Sequence, residues 1–341
     1  MDFVFIITFV FCFSVLWLFI KYAGKLGFTD IPNFRSLHKQ ATPSGSGIAV
    51  FIAVSIVSLF ADVGNYENYS MLLISVFMVF MLGVFDDIKS ISAKYKIIII
   101  LIAAALTTYF DNMIIWNTGA FFGHNLSLPW YIAFPFTIFA ITGFTNSFNL
   151  IDGLDGLAAT LSIIILSALW YLGYKNNDFL LAGIPILIIP AMLAFLYFNW
   201  NPAKAFMGDS GSLTLGFLIA ILSIKALNYV SPLVILYVVA LPVIDTIVIM
   251  IRRKKSRQSI FAPDKNHMHH VFLRMFNDNM TTAVITLALI QVAYISFGLI
   301  FVSQLPQEIT LFFFIVNIVF WYFFLTRKSV NEVKLKARTS T

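Results

Sequence analysis

Two adjacent aspartates, Asp86 and Asp87, end a long apolar segment and precede a loop with basic residues. Neighbouring carboxylates suit a hard divalent cation, which prefers oxygen ligands and keeps some of its waters. One carboxylate could instead act as a base. The helix dipole disfavours negative charge at a helix C-terminus, so the pair lacks a capping rationale. We therefore predict a chemical role for the pair over the alternative of a solvated helix end.

A second polar group lies between two later apolar segments. It recurs every three residues and consists of Asn146, Asn149, Asp152 and Asp155. On a straight α-helix this spacing drifts by about 60° per step, so the four side chains would not share one face. Gly153 and Gly156 indicate a broken or tightened turn, which can aim the amides and carboxylates into one pocket. A plain polar turn is the alternative, since Asn, Asp and Gly are common in turns.

A third group precedes another apolar segment, where Asp209 and Ser210 lie between Gly208 and Gly211. The free amides of a helix N-terminus form a natural anion site. An aspartate there can equally hold a metal ion that bridges to phosphate. The serines have a simpler explanation as N-caps. A functional role is predicted for Asp209.

Three histidines, His267, His269 and His270, fall within four residues of a loop that also holds Pro263 and Asp264. His267 and His270 share a helical face because they are three residues apart. Such a cluster could bind Zn²⁺ or donate hydrogen bonds to phosphate. No cysteine is near them in the sequence, and phosphate contact is favoured.

A basic loop precedes the second apolar segment and carries Arg35 and Lys39 ahead of Pro43 and two glycines. A loop of this kind has an equally good explanation as an interfacial segment that touches anionic lipid. Its residues alone do not separate that explanation from a role in binding.

The elements that must position these groups are strongly apolar. Hydrophobic residues make up 60% of the 341-residue chain and charged residues only 11%, whereas soluble domains carry about 25% charged residues. In a bilayer each long apolar segment can satisfy its backbone hydrogen bonds only as a helix. We therefore predict an all-α, polytopic integral membrane protein with about eleven transmembrane helices. The segments lie near 3–20, 46–62, 69–85, 95–111, 129–147, 154–173, 179–198, 211–229, 232–250, 282–303 and 309–326.

The basic residues set the predicted topology. With the N-terminus outside and the C-terminus in the cytoplasm, all but Lys175 and Lys225 of the 22 Lys and Arg residues fall on the inside. The same arrangement brings the five polar elements to that side. We predict a single membrane-embedded domain over 1–341, with its functional loops on the cytoplasmic face. These loops lie near 21–45, 86–95, 147–154, 199–211 and 251–281.

Together, the five elements resemble the polyprenyl-phosphate N-acetylhexosamine-1-phosphate transferases, glycosyltransferase family 4. The blocks stand in the family's order: a basic loop with Pro and Gly, the D-D pair, N-x-x-N-x-x-D-G-x-x-G-L, N-x-x-P-A-K-x-F-M-G-D-x-G-S and H-x-H-H. The resemblance spans about residues 30–275. Two departures, Ser46 in the glycine run and Met268 where Ile is common, alter no reactive group.

The resemblance implies a role for each motif residue. Asp86 and Asp87 are expected to handle metal or activate the lipid phosphate, with the division between them left open. Asp209 and Asp152 are the expected Mg²⁺ ligands, with Mn²⁺ as an alternative ion. The other implied catalytic residues are Asp155, His267, His269 and His270, the histidines as phosphate contacts. The implied substrate-binding residues are Arg35, Lys39, Asn146, Asn149, Asn199 and Phe206, and Phe206 could stack on uracil.

The implied activity is transfer of N-acetylhexosamine-1-phosphate from a UDP-sugar to undecaprenyl phosphate, with release of UMP, as the first step of a cell-surface polysaccharide. The last loop resembles the branch that takes a sugar alone, GlcNAc or a related one, rather than the peptidoglycan branch. The implied setting is a bacterial inner (plasma) membrane, with lipid around the protein and the active site facing the cytoplasm. A homodimer is one option for assembly, and no nucleic-acid partner is expected.

A membrane transporter or lipid flippase is the main alternative, since intramembrane acids and broken helices also mark transporters. The acids here gather at one face rather than at the midplane, and the sequence has no two-fold repeat. A CDP-alcohol phosphotransferase is a second alternative, but the chain lacks the D-G-x-x-A-R…D-x-x-x-D stretch of that class. Which sugar is transferred does not follow from the residues.

Overall fold

The structure is a computed structural model that describes residues 2–31, 41–61, 69–257 and 267–339, with side chains described from 3 to 327 within these ranges. The helices of this part are α1 Asp2–Leu26, α2 Gly47–Phe60, α3 Ser70–Ile88, α4 Ala93–Phe110, α5 Trp130–Ile151, α6 Leu157–Lys175, α7 Phe179–Asn199, α8 Asp209–Ala226, α9 Pro232–Val238, α10 Ala240–Lys255, α11 Met268–Met275, α12 Met280–Phe297 and α13 Gln307–Thr339. A π-helical turn, Gly298–Val302, follows α12. Two short strand pairs accompany them, β1 Thr29–Asp30 with β2 Thr42–Pro43 and β3 Asn117–Phe121 with β4 His124–Ser127.

Every predicted apolar segment coincides with a helix or a helix pair, which confirms the all-α, polytopic membrane class. Within the described residues, eight helices are long and apolar enough to cross a membrane, or nine if the bent pair α9–α10 is one span. Helix α2 has only 14 residues and is about 21 Å long, less than the roughly 30 Å of a bilayer core. The number eleven and the sides of the two termini therefore stay predictions.

The chain divides into two compact units. Unit 1 comprises Met1–Asn117 and Ser127–Val230 and contains α1 to α8. Unit 2 comprises Thr118–Leu126 and Ser231–Thr341 and contains most of the β3–β4 hairpin and α9 to α13. The prediction of one membrane domain over the whole chain stays a prediction.

In unit 1, glycines let α2 and α3 meet the start of α8 backbone to backbone. A Cβ added at Gly83 would lie 2.4 Å from the Cα of Ser210, and one added at Gly47 would lie 2.2 Å from the amide nitrogen of Gly211. Small residues permit this approach because larger side chains would hold the helices apart. The apolar core beside the contact includes Val79, Ile141, Phe217 and Ile221.

In unit 2, the predicted span 232–250 consists of two helices, α9 and α10, with an 86° bend between them. Pro242 gives the local reason, since it has no N–H to donate to the carbonyl of Val238 four residues earlier. The side chain of Gln291 on α12 replaces the missing backbone hydrogen bonds. Its Nε2 donates to the Val238 oxygen at 2.8 Å, and its Oε1 accepts from the Leu241 N–H at 3.0 Å.

Replacing Gln291 should destabilise unit 2. Gln291→Leu keeps the size of this fully buried side chain but leaves the Val238 carbonyl and the Leu241 N–H unpaired, at about 1–3 kcal/mol for each group. We expect a lower melting temperature of the detergent-purified protein. The matched control is Gln304→Leu, because Gln304 is exposed. Equal melting temperatures for the two variants would contradict this account of the bend.

Candidate active site

The carboxylate of Asp87, at the end of α3, caps the N-terminus of α8, which begins 122 residues later in the chain. Its Oδ1 accepts from the backbone N–H of Asp209 at 2.7 Å, and its Oδ2 accepts from that of Ser210 at 3.1 Å. Free amides and the helix dipole both favour a carboxylate at this end. Gly208 leaves room for it, since an added Cβ would lie 2.6 Å from the Asp87 Oδ2. The expectation that the aspartate pair has no capping role is therefore wrong for Asp87.

Asp86 has a different partner, the ammonium group of Lys96 in the first turn of α4. The Lys96 Nζ donates to the Asp86 Oδ2 at 2.7 Å and to the Asp209 Oδ2 at 2.6 Å. The other Asp86 oxygen accepts from the backbone N–H of Ile91 at 2.6 Å. The two aspartates of the pair therefore have different partners. Asp87 accepts from the backbone of α8, and Asp86 pairs with the Lys96 ammonium group.

Asn149, near the end of α5, completes the surroundings of Asp209. Its Nδ2 donates to the Asp209 Oδ1 at 3.0 Å and to the Ser212 hydroxyl at 2.8 Å. One Asp209 oxygen is thus bound by an ammonium group and the other by an amide. Asn146 lies one turn earlier on α5 and is half-buried.

Asp152 and Asp155 lie in the turn between α5 and α6, which confirms the break that the glycines predicted. The Asp155 Oδ2 accepts from the Asn201 Nδ2 at 2.9 Å and from the Ala203 N–H at 3.0 Å. It thereby ties this turn to the loop after α7. Burial raises the pKa of Asp152 to about 7, and the charges of Asp209 and two further carboxylates add to the shift. Both effects disfavour the charged form, so Asp152 gains from a proton or a cation.

The backbone joins two of the predicted motifs. Phe206 accepts from the Ser46 N–H at 3.0 Å and donates to the Pro43 carbonyl at 2.8 Å, while Gly47 donates to the Met207 carbonyl at 2.8 Å. The Pro–Gly segment before α2 therefore runs beside the loop that leads to α8. The position of the half-buried Phe206 ring near a uracil base stays a prediction.

Asn199, the last residue of α7, is buried and uses both ends of its amide. Its Oδ1 accepts from the Gly156 N–H at 2.9 Å, and its Nδ2 donates to the Ala205 carbonyl at 2.8 Å. The side chain thus fixes the turn before α6 relative to the loop after α7. Contact of Asn199 with a substrate stays a prediction.

The histidine cluster belongs to unit 2, and its members differ. The His267 Nδ1 lies 2.8 Å from the Oδ2 of buried Asp245, whose Oδ1 accepts from the Met268 N–H at 2.6 Å. His269 is also buried, with its ring 5.5 Å from that of His267. Burial, together with the neighbouring basic groups, lowers the pKa of His269 well below its ordinary value. His270 is half-buried.

Sequence reasoning missed two charged residues of these groups. Lys96 counts only as one of the basic residues on the predicted inside, although it is the residue that links Asp86 to Asp209. Asp245 was not singled out, although an acid within an apolar run was the available signal. Arg35 and Lys39 lie outside the described residues.

The oxygen donors around Asp209 are of the type that Mg²⁺ prefers. In the described part of the chain, no three His, Cys, Asp or Glu side chains converge closely enough to hold a metal ion. The Lys96 ammonium instead lies between the Asp86 and Asp209 carboxylates, at a place that attracts positive charge. The donors therefore fit a divalent cation if Lys96 gives up or shares a carboxylate.

This chain belongs to glycosyl transferase family 4, whose family profile matches residues 69–227. A probable undecaprenyl-phosphate N-acetylglucosaminyl 1-phosphate transferase of Bacillus subtilis is 36% identical over 73% of this chain and 71% of its own length. Undecaprenyl-phosphate alpha-N-acetylglucosaminyl 1-phosphate transferases of Yersinia pestis and Escherichia coli K12 are 30% and 28% identical, over 83% and 96% of this chain and 80% and 94% of their own lengths.

Replacing Asp87 should destabilise the protein more than replacing Asp86. Asp87→Ala removes the acceptor of two α8 amides, and losing a helix cap costs about 0.5–2 kcal/mol. Asp86→Ala leaves Lys96 still paired with Asp209. We expect the melting temperature in detergent to fall more for Asp87→Ala than for Asp86→Ala. An equal or reversed order would contradict the division of roles.

The raised pKa of Asp152 predicts a pH-dependent stability without metal. Between the ordinary aspartate pKa of 3.8 and about 7, the folded state holds a proton that the unfolded state has lost, so stability falls as pH rises through this range. In EDTA, the melting temperature should decrease from pH 5 to pH 8. Asp152→Asn should reduce that decrease, because the amide does not titrate. An unchanged slope in the variant would exclude Asp152 as its source.

Proposed function

We propose that this chain transfers N-acetylhexosamine-1-phosphate, of GlcNAc or a related sugar, from a UDP-sugar to undecaprenyl phosphate and releases UMP. The transfer would be the initiating step of a cell-surface polysaccharide. Membership of the family supports the reaction class, and the names of the three relatives support the acceptor and the sugar.

The observation that carries the proposal is the Lys96 ammonium between the Asp86 and Asp209 carboxylates, at the N-terminus of α8. An ammonium group favours phosphate, while paired carboxylates favour a divalent cation. A site where two phosphate-bearing substrates meet needs both a phosphate-binding group and a cation-binding group. The same end of the unit 1 helices also carries the Asn149 amide and the Asp152 carboxylate.

In the proposed reaction, a phosphate oxygen of undecaprenyl phosphate bonds to the β-phosphorus of the UDP-sugar. The bond from that phosphorus to the oxygen bridging to the α-phosphorus breaks, and UMP leaves with the electron pair. Both reactants are anions, so positioning and charge neutralisation supply most of the catalysis. Lys96 can neutralise a phosphate when it releases a carboxylate. Asp86 then becomes free to contact the acceptor or a metal ion, while Asp87 remains on the α8 amides.

Mg²⁺ is the proposed cofactor, with Mn²⁺ as an alternative, and Asp209 and Asp152 are its proposed ligands. The ion would shield the diphosphate and stabilise departing UMP. Asn149 holds the Asp209 side chain in place for this role. The raised pKa of Asp152 supports the assignment, because a cation relieves the same repulsion as a proton.

The proposed setting is a bacterial inner membrane with the site toward the cytoplasm, where nucleotide sugars are available. The end of α3, the start of α4 and the start of α8 all contribute to the site, and the positive-inside pattern assigns these ends to the cytoplasmic side.

The test is UMP release by detergent-purified protein with undecaprenyl phosphate, MgCl₂ and a panel of UDP-sugars. Wild-type protein should release UMP only with lipid and metal present, and EDTA should abolish the release. Asp209→Asn should lower the rate on the order of 10²-fold or more, because it removes charge from the reacting centre. Folded wild-type protein that released no UMP with any sugar would overturn the transferase proposal and favour the transporter reading.

A further inference from the structure

An elongated apolar cavity lies in unit 1 between α2, α3, α7 and α8. Its volume is about 260 Å³. On α2 its lining extends from Gly47 to Leu59, which is about 18 Å at 1.5 Å per residue. One leaflet of a bilayer contributes roughly 15 Å, half of a hydrocarbon core of about 30 Å. The cavity therefore has the length of a hydrocarbon chain in a single leaflet.

The lining offers no partner for a charged ligand. Aliphatic side chains form most of it, and none of the described residues that line it is charged. Two of its hydroxyl groups are bonded within their own helices: Ser58 donates to the Ser55 carbonyl at 2.8 Å, and Thr214 donates to the Ser210 carbonyl at 2.7 Å. Apolar cavities of about 150 Å³ stay dry and take up apolar molecules. The lining therefore favours hydrocarbon over water, phosphate or sugar.

The cavity also reaches the surface that faces the bilayer. Near the start of α2, the rings of Phe51 and Phe80 stack with their centroids 3.8 Å apart and join α2 to α3. At the end of α2 and the start of α3, Leu59 and Leu73 line the cavity and are 81% and 51% exposed. Around a membrane protein, lipid chains are the medium at such a surface. Lipid chains therefore have direct access to the cavity.

The cavity and the partners of Asp209 lie on opposite sides of α8. Successive residues of a helix point about 100° apart. Asp209 and Ser212, which both bind the Asn149 amide, therefore share one face of α8. Gly211 and Leu218, which line the cavity, lie on the opposite face. An acceptor lipid whose phosphate reaches the Asp209 carboxylate is on the far side of this helix from the cavity, so the cavity suits a different lipid.

We propose that this cavity is a structural lipid site, which holds one acyl chain of a bilayer phospholipid. The headgroup stays outside, because the described lining carries no charge. The chain packs against the face of α8 that points away from the Asp209 partners, and it supplies contacts that the lining atoms of an empty cavity lose. The site does not depend on the proposed function, because hydrocarbon is recognised by shape and polarity alone.

The test is photolabelling of the detergent-purified full chain with a phospholipid that carries a diazirine in one acyl chain. At an equimolar amount of probe, we expect the label on lining residues of α2, α7 and α8. Phosphatidylglycerol and phosphatidylcholine probes should label these residues equally, because the chain and not the headgroup is bound. An excess of unlabelled phospholipid should abolish this labelling.

Ser58→Phe fills the cavity with a side chain of the protein. We expect this variant to lose the labelling of lining residues. It should also lose the rise in melting temperature that added phospholipid causes in the wild type, because a ligand that binds only the folded protein stabilises it. The matched control is Ser14→Phe, since Ser14 is an exposed serine of α1 whose hydroxyl likewise donates to its own helix. The control should keep both effects.

Label spread evenly over the exposed helix faces of the wild type would overturn the proposal, and this map decides the question even where Ser58→Phe is unstable. Wild-type labelling of lining residues in folded Ser58→Phe would also overturn it. Competition by undecaprenyl phosphate as effective as that by phospholipid would assign the cavity to the acceptor chain instead. None of these measurements uses UMP release, so their outcome is distinguishable from a failure of the proposed function.

Discussion

The site in unit 1 depends on the contact between Asp87 and the first two amides of α8. Because this contact uses both carboxylate oxygens, it fixes Asp209, the first residue of α8, beside the end of α3. The approach leaves no space for side chains at Gly83 or Gly208, where an added Cβ would collide with Ser210 or with Asp87. One capping interaction therefore explains the position of the central aspartate and the glycines around it.

Charge balance is the second constraint on that site. Asp86, Asp152 and Asp209 bring negative charge to one end of the helices, and the ammonium group of Lys96 pairs with two of them. Breaking such a partly buried pair is costly, because it leaves an uncompensated charge. Binding of anionic substrates with a cation would exchange one set of ion pairs for another: the cation takes the carboxylates, and Lys96 takes a phosphate.

Unit 2 uses the same kind of contact in a different place. Asp245 accepts from the first amide of α11, as Asp87 does from that of α8, and it also holds a histidine ring. The direction of α10 follows from the bend at Pro242, which Gln291 stabilises by replacing the missing backbone hydrogen bonds. In each unit, a carboxylate from one helix sets the start of a later helix that carries or adjoins reactive groups.

The sequence by itself determined the membrane class, the helical segments and the family. Apolar segments of this length can satisfy their backbone only as helices, and the motif blocks are recognisable from residue identity alone. The turn after α5 also followed from its glycines. The separate roles of Asp86 and Asp87 did not follow, because adjacent residues on a helix point in directions about 100° apart and meet partners from different helices. The bend at Pro242 was not predicted, and the partner that stabilises it, Gln291, lies 50 residues beyond Leu241. Only the tertiary structure decided these contacts, because helix packing, not chain order, brings such distant groups within hydrogen-bonding distance.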